Sequence, residues 1–372
     1  MRDFREEVRE FARRELPEGW LGHFDEYDPH IFPFTREITR KLGRLGWLSL
    51  PWPREYGGED SIEKQLVFQE EASYFGIPGT GMGVGGTAWV APSLILFGTE
   101  EQKRKYLPGI ASGEDFWCTA YSEPETGSDL ASLRTRAKKM NGCYVINGQK
   151  IWTSAAHISR YCWLAVRTGP EAHKGITLLI VPLEEKGITV RPIINMGGLH
   201  HYNEVFFDDV KVKEENRVGE ENRGWFYIMK ALDMERAWPG VRYSSYAMRA
   251  FDELLNLAGD RLGDRRLKLA ELRIEIEVGR LLARRAINIL IKGGIPNYEA
   301  SISKVYNSEL LQRVSVFGLE LLGLPGVLDG EKSPLRGFFK KLYLLSPLNN
   351  IAGGTSEIQR LIIAQRGLGL PR

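Results

Sequence analysis

The chain has 372 residues, with 50 lysines and arginines against 48 aspartates and glutamates, and so a formal net charge of +2. This length is typical of two or three domains with a sizeable core. The balanced charge provides no general field to attract nucleic acid or a membrane surface, so an anionic partner must be bound locally. Cys118, Cys143 and Cys162 are odd in number and never spaced as CxxC, which supports neither a disulfide framework nor a zinc site.

The sequence pattern predicts neither a targeting segment nor a membrane-spanning segment. The longest apolar stretches, such as residues 178–183, fall far short of the ~20 residues that a spanning helix needs. Residues 1–7 carry charges where a signal peptide requires an apolar region. Together with the cysteine pattern, these features predict a cytoplasmic protein without a membrane span.

The N-terminal part has helical periodicity. Apolar residues recur three and four positions apart, with charges between them. Asp60 and Glu63, and again Thr99 and Gln102, have the spacing of a capping box. The predicted helices span residues 3–16, 34–48, 60–75 and 99–107. They indicate a helical N-terminal domain over residues 1–116.

Beyond residue 116 the pattern changes to short β-type runs. These runs cover residues 144–146, 150–152, 161–166, 176–181, 188–193 and 204–212. Asn147 and Gly148 stand between the first two runs, and Asn-Gly best tolerates the positive φ angles of a tight hairpin turn. We therefore expect a hairpin turn there, within a compact β domain over residues 117–222.

Helical periodicity returns after Gly224. The predicted helices span residues 225–236, 242–257, 266–291, 301–322 and 356–366. They form a third domain over residues 223–372. The order helical, β, helical predicts an α+β multidomain fold.

Three short motifs follow one another along the chain. Residues 121–129 read YSEPETGSD, residues 147–154 read NGQKIWTS, and residues 354–360 read GTSEIQR. Taken singly, they are explained by a turn, a core tryptophan and a capped final helix. Taken in order, they resemble the signatures of the acyl-CoA dehydrogenase family.

The resemblance implies an FAD enzyme with a helical N-terminal domain, a central β-barrel-like domain and a C-terminal four-helix bundle. It implies that Trp152 covers one face of the flavin while Thr153 and Ser154 bond the ring edge. Ser356 and Gln359 have capping-box spacing, and the helix that they open is suited to a phosphate. The full set of implied cofactor-binding residues is Tyr121, Ser122, Gly127, Ser128, Trp152, Thr153, Ser154, Thr355 and Glu357.

The catalytic base occupies one of two positions in the family. Many members place a glutamate directly before the third motif, where this chain has Gly353. The branch that resembles isovaleryl-CoA and long-chain acyl-CoA dehydrogenases carries it on the first helix after the β domain, ahead of an arginine. Glu235 and Arg236 match that arrangement, so we expect Glu235 to be the base. The alternative for Glu235 is a solvated helix charge.

The implied reaction is α,β-dehydrogenation of an acyl-CoA thioester. Glu235 takes the α-proton, the β-hydride passes to flavin N5, and the backbone N–H of Gly353 supports the thioester oxygen. By the same resemblance, Ser128, Asp233 and Arg236 contact the acyl-CoA. Electrons would pass to an electron-transferring flavoprotein or a similar acceptor, and the subunits would form a homodimer or homotetramer.

Two family elements that contact the FAD of a neighbouring subunit are altered here. The stretch at residues 258–266 lacks an intact Arg-x-x-Phe-Gly, and residues 317–324 lack the Gln-rich, Gly-Gly pattern. This departure leaves open a partly degenerate or FAD-binding subunit of a hetero-oligomer. An acyl-CoA oxidase is also open, because oxygen access decides between the two chemistries. A non-enzymatic binding module would make the joint presence of Trp152 and Glu235 accidental.

Overall fold

The computed structural model describes residues 1–22, 26–80, 86–258 and 263–371, without the side chains of Asp233, Met234 and Glu331. The chain forms two compact units. The first comprises Met1–Phe24, Ile62–Pro78 and Asp233–Arg372, and the second comprises Asp25–Ser61 and Gly79–Leu232. The three domain ranges inferred from the sequence pattern remain predictions. No helix in the described ranges is long and apolar enough to cross a membrane.

The second unit is built on a sheet of eight strands among its described residues. The strands are β1 Trp117–Ala120, β2 Arg136–Met140, β3 Cys143–Lys150, β4 Tyr161–Arg167, β5 Ile176–Pro182, β6 Ile188–Ile194, β7 His200–Lys213 and β8 Arg217–Val218. Their order is β6-β7-β3-β2-β4-β5-β8, with β1 paired in parallel to β4. Five of the six β-type runs predicted from the sequence thus coincide with β3 to β7, whereas the run at residues 150–152 forms no strand of its own, because β3 ends at Lys150.

Helices also belong to this unit. They are α2 Phe32–Arg44, α4 Val90–Phe97, α5 Glu100–Ala111 and α6 Gly224–Glu235, whose last three residues belong to the first unit. Residues 161–166 of strand β4 are all buried, so both faces of the strand are covered, and this matches their continuous apolar run ahead of Arg167. Trp163 packs with Trp117 and residues of α4 and α5, whereas Cys162 and Leu164 enter a separate core with β3 and β7.

The hairpin prediction at Asn147 and Gly148 is wrong. These residues lie inside β3, at an irregularity in its pairing with β7, where Gly148 has a φ of +151°. The hairpin turn is formed instead by Asn141 and Gly142, both with positive φ, between the paired residues Met140 and Cys143. The chain carries two Asn-Gly dipeptides, and the strand pairing alone decides which one turns.

The first unit is helical. Its helices are α1 Arg2–Glu15, α3 Ile62–Phe75, α7 Trp238–Ala258, α8 Arg266–Ile291, α9 Tyr298–Leu322, α10 Phe338–Ile351 and α11 Ser356–Ile362. Helices α7 to α10 share one apolar core that includes Phe251, Leu272, Leu310 and Phe339. The predicted fold class, helical ends around a central sheet domain, is confirmed. Helices α4 and α10 were not predicted, because α4 is only eight residues long, without a repeating polar face, and α10 contains Pro347.

The two predicted capping boxes differ in outcome. Thr99 caps α5, with its side chain accepting from the Gln102 amide and the Gln102 side chain accepting from the Thr99 amide. Helix α3, however, begins at Ile62, and Asp60 has a φ of +54° two residues earlier. A capping residue stands immediately before the helix in extended conformation, so the Asp60 prediction is wrong.

Candidate functional site

The first two motifs are joined in the second unit by an ion pair. Lys150, at the end of β3, is fully buried, and its Nζ lies 2.8 Å from Glu123 Oε1 and 2.9 Å from the Tyr121 carbonyl. Beside it, the Ile151 amide donates to the Ser122 carbonyl at 3.0 Å. These bonds fix the loop that carries the first motif against the residues that precede Trp152.

Glu123 and Lys150 lie in a desolvated environment that acts differently on each. Burial lowers the pKa of Lys150 to about 8 against the opposing attraction of Glu123. Burial also acts to raise the pKa of Glu123, but Lys150 and the amides of Thr135 and Arg134 outweigh it and hold that pKa below its usual value. The sequence reading overlooked this pair, although a lysine ending a strand two residues before the tryptophan was a usable signal.

Trp152 combines exposure with an unfavourable backbone. Its side chain is 57% exposed, and its φ is +59°, a region that bulky residues rarely adopt. Such a conformation costs on the order of 1–3 kcal/mol and persists only where neighbours enforce it. The amides of Thr153 and Ala155 do so by donating to the carbonyls of Asn203 and His201, each at 3.0 Å. The indole is therefore presented to the surface by a fixed backbone.

Thr153 follows Trp152 and is buried. Its carbonyl accepts from the Asn203 side chain at 3.0 Å, so Asn203 grips the Trp152 segment through both its backbone and its side chain. Its hydroxyl oxygen is buried without a hydrogen-bond partner among the described residues, as is that of Thr126 in the first motif. An unpaired buried hydroxyl is costly and indicates a missing polar partner. Asn203 was another residue that the sequence reading overlooked.

The other predicted flavin contacts of this unit lie on the same two segments. Tyr121 is partly buried against Trp89, with a ring distance of 6.1 Å, and burial raises its pKa. Ser122 and Ser154 are half-buried, and Gly127 and Ser128 are exposed. The residues of the first and second motifs are thus brought together, with polar groups that face solvent.

Glu235 ends α6 and is only 3% exposed, so its reading as a solvated helix charge is wrong. Its Oε1 has no hydrogen-bond partner within the described part of the chain. Burial raises the pKa of Glu235 to about 7, although Arg242, Arg236 and Lys304 act in the opposite direction. A carboxyl group in this state exchanges a proton near neutral pH.

The third motif begins in the turn between α10 and α11, which also contains Gly353, and continues into α11. Gly353 has a φ of +66°, and a Cβ at this position would contact nothing within 4 Å. The carbonyls of Gly353 and Gly354 accept from the Gln359 side chain at 3.0 and 3.3 Å. The predicted Ser356 capping box is wrong, because Thr355 is the cap and accepts from the Ile358 amide at 3.2 Å.

The remaining predicted contact residues belong to the first unit. Glu357 is exposed in the first turn of α11, where its own amide and the Thr355 hydroxyl lower its pKa. Arg236 is half-buried directly after Glu235. The side chain of Asp233 and residues 259–262 of the altered Arg-x-x-Phe-Gly stretch lie outside the described part of the chain.

Comparison with known proteins gives consistent family matches. The N-terminal, middle and C-terminal domain models of acyl-CoA dehydrogenase match residues 1–114, 118–210 and 222–368. The chain is 38% identical over 360 residues to acyl-CoA dehydrogenase FadE26 of Mycobacterium tuberculosis, covering 91% of this chain and 88% of the relative. It is 35% identical over 386 residues to IpdE1 of the same organism, covering 99% and 98%.

Solved structures agree with these relatives. The structure described as the Tcur3481-Tcur3483 steroid ACAD has a TM-score of 0.91 and 34% identity, covering 100% of this chain and 97% of that chain. The ChsE4-ChsE5 complex from Mycobacterium tuberculosis has a TM-score of 0.87 at 34% identity, with the same coverage. The chain is therefore an oxidoreductase that belongs to the acyl-CoA dehydrogenase family.

Proposed function

We propose that this chain catalyses the FAD-dependent α,β-dehydrogenation of an acyl-CoA thioester, with Glu235 as the base. The observation that carries the proposal is the buried carboxyl group of Glu235, whose pKa lies near 7 and whose Oε1 has no partner in the described part of the chain. A carboxylate that only balanced charge would have hydrogen-bond partners or solvent instead.

The role of Glu235 follows from the acidity of the substrate. The proton next to a thioester carbonyl is weakly acidic, and a base whose pKa lies near the working pH removes it best. Desolvation supplies that pKa here, and the unpaired Oε1 is free to accept the proton. Below about pH 7 the carboxyl is protonated, so we expect dehydrogenation to decline on the acid side.

Gly353 provides the second group for this step. As the α-proton leaves, negative charge accumulates on the thioester oxygen and requires a hydrogen-bond donor. We propose the backbone N–H of Gly353, whose turn is fixed through the Gln359 side chain. The open space where a Cβ would stand also leaves room for a large acyl group. The related structure described as a steroid ACAD supports a bulky acyl class for this chain.

The second unit carries groups that fit FAD. Trp152 presents an indole large enough to cover a ring system, and the unpaired hydroxyls of Thr153 and Thr126 suit the polar edge of that ring. We propose that these residues, with Tyr121, Ser122, Gly127, Ser128 and Ser154, hold the flavin, and that Thr355 and Glu357 contribute from the third motif. When bound, FAD accepts the hydride from the β-carbon. Ser128, Asp233 and Arg236 are proposed to contact the acyl-CoA.

We propose that the chain acts within an oligomer and passes electrons to an electron-transferring flavoprotein. One face of α8 supports the assembly, because Leu267, Ile274, Val278 and Leu281 are exposed there at near-heptad spacing. Two structural neighbours are described by two component names, Tcur3481-Tcur3483 and ChsE4-ChsE5. A non-identical partner subunit is therefore an alternative to a homodimer or homotetramer. The mass of the purified protein, alone and with candidate partners, decides between them.

The function is tested by flavin absorbance under anaerobic conditions. Acyl-CoA thioesters with straight-chain, branched and steroidal acyl groups are added to the wild type, to Glu235→Gln and to Glu10→Gln. Glu10 is an exposed glutamate of α1 and serves as the matched control. We expect bleaching in the wild type and the control, and a loss of at least about 10³-fold in Glu235→Gln with its flavin retained. Substantial bleaching in Glu235→Gln would assign the base elsewhere.

The cofactor assignment has a separate test. Trp152→Ala should lower the FAD content after purification, because the indole face is lost. Trp225→Ala is the control, because it removes a partly buried indole elsewhere in the same unit. Trp89→Ala is less suitable because Trp89 packs on Tyr121, a proposed flavin contact. Equal flavin content and affinity in Trp152→Ala and the wild type would exclude Trp152 from the site. Reoxidation of reduced enzyme by dissolved oxygen distinguishes an oxidase from a dehydrogenase.

A further inference from the structure

Lys304 is a buried cation of α9 that the sequence motifs do not include. It is 3% exposed, and its Nζ donates to the carbonyls of Asn350 at 3.2 Å and Gly354 at 3.0 Å. Asn350 lies in the last turn of α10, and Gly354 follows the proposed oxyanion donor Gly353. Lys304 therefore ties α9 to both sides of the turn that carries Gly353.

The same ammonium group acts on the proposed base. Around Glu235, the charged groups that favour its ionised form are Arg242 of α7, Arg236 and Lys304, and Tyr243 also lies within its field. Lys304 in turn is attracted by Glu235, Glu309 and Glu357. The attraction between Lys304 and Glu235 is reciprocal, because each favours the charged form of the other.

Carbonyl acceptors alone do not require a lysine. A neutral amide side chain also donates two hydrogen bonds, without the desolvation cost of a buried ammonium group. Lys304 is 3% exposed, so this cost is present, and burial lowers the pKa of Lys304 to about 8. A charge retained under these conditions indicates a function that depends on charge, and Glu235 is the buried carboxylate among its neighbours.

We propose that Lys304 is a positioning residue: its hydrogen bonds to the Asn350 and Gly354 carbonyls hold the Gly353–Gly354 turn in place. Its buried positive charge also favours the carboxylate form of Glu235. This inference rests on the proposed function of Glu235 and Gly353. It assigns to one side chain a hydrogen-bonding effect on the turn that carries the oxyanion donor and an electrostatic effect on the base.

Two substitutions separate the effects. Lys304→Met removes the charge and the donors, whereas Lys304→Gln removes the charge and retains an amide donor. Lys292→Met removes an exposed cation at the end of α8 and is the control. The carboxyl group of Glu235 is titrated by infrared spectroscopy without substrate. For the wild type and for each variant, the spectrum of the same protein carrying Glu235→Gln is subtracted, so that only the Glu235 signal remains. Amide hydrogen exchange over residues 353–358 reports on the turn.

Both Lys304 variants should raise the titration midpoint of Glu235 by about one pH unit, because a cation that favours the carboxylate is lost. Lys304→Met should also increase amide exchange in the turn, by about tenfold or more, while Lys304→Gln should do so less. When the rate of flavin reduction by acyl-CoA is measured against pH, the decline on the acid side should move to higher pH by about one unit as well. Lys292→Met should leave all three unchanged.

An unchanged midpoint in both variants would overturn the electrostatic effect, and unchanged exchange in Lys304→Met would overturn the positioning effect. If Lys304→Met does not fold, Lys304→Gln decides the electrostatic effect by itself, and unchanged exchange in Lys304→Ala, which also lacks a donor, would overturn the positioning effect. The infrared and exchange measurements require neither FAD nor turnover. A wild type that reduces no flavin with any thioester would therefore contradict the proposed function without affecting this outcome.

Discussion

Replacing Glu235 by Gln should stabilise the protein at neutral and alkaline pH. Burial raises the pKa of Glu235 from 4.5 to about 7. Each pKa unit corresponds to about 1.4 kcal/mol, so ionising this carboxyl costs the folded chain about 3 kcal/mol of unfolding free energy. The unfolded chain loses this proton near pH 4.5 and the folded chain near pH 7. The protonated carboxyl therefore stabilises the fold below pH 4.5, and this contribution is lost as the pH rises to about 7.

The measurement is denaturant unfolding followed by circular dichroism, between about pH 5 and pH 8. The quantity of interest is the unfolding free energy of Glu235→Gln minus that of the wild type. It should increase by roughly 2–3 kcal/mol across this range, whereas the difference for Glu10→Gln should stay within about 0.5 kcal/mol. A Glu235→Gln difference that does not vary with pH would refute the reasoning, because the carboxyl would then not be held in a desolvated site.

Three further substitutions test the scaffold. Gly148→Ala should lower the unfolding free energy by about 2 kcal/mol or more in a denaturant titration, because the new Cβ would lie 2.7 Å from the Thr135 backbone. Gly142→Ala places its Cβ in open space and should lower the unfolding free energy by only about 1 kcal/mol, so equal losses would contradict the steric argument. Lys150→Met should lower the unfolding free energy by about 3–5 kcal/mol in the same titration, since it leaves the buried carboxylate of Glu123 without its cation. A loss under about 1 kcal/mol would show that the fold does not depend on this ion pair. Leu281→Glu should change the unfolding free energy by no more than about 0.5 kcal/mol, because this side chain is 65% exposed. It should lower the mass of the oligomer measured by light scattering, since Leu281 lies on the proposed contact face of α8, and an unchanged mass would exclude α8 from the interface.

The sequence by itself determined the order of elements and the family. Helical spacing predicted α8 over its full observed range, and the short apolar runs predicted β4 and β5, because amphipathic or continuous apolar patterns are local properties of the chain. The three motifs identified the family because their residues are recognisable in order. The resemblance to one branch of the family selected Glu235, because it stands before Arg236 on the first helix after the β domain and because position 353 is a glycine.

Tertiary structure decided what these local patterns leave open. Asn141 and Gly142 form the turn that Asn147 and Gly148 were expected to form, since only the pairing of β3 with β2 and β7 selects between two equal dipeptides. The proton affinity of Glu235 depends on burial, and burial depends on helices distant in the chain. Lys304 lies 69 residues beyond Glu235, so its connection to the Gly354 carbonyl exists only once α9, α10 and α11 are packed together.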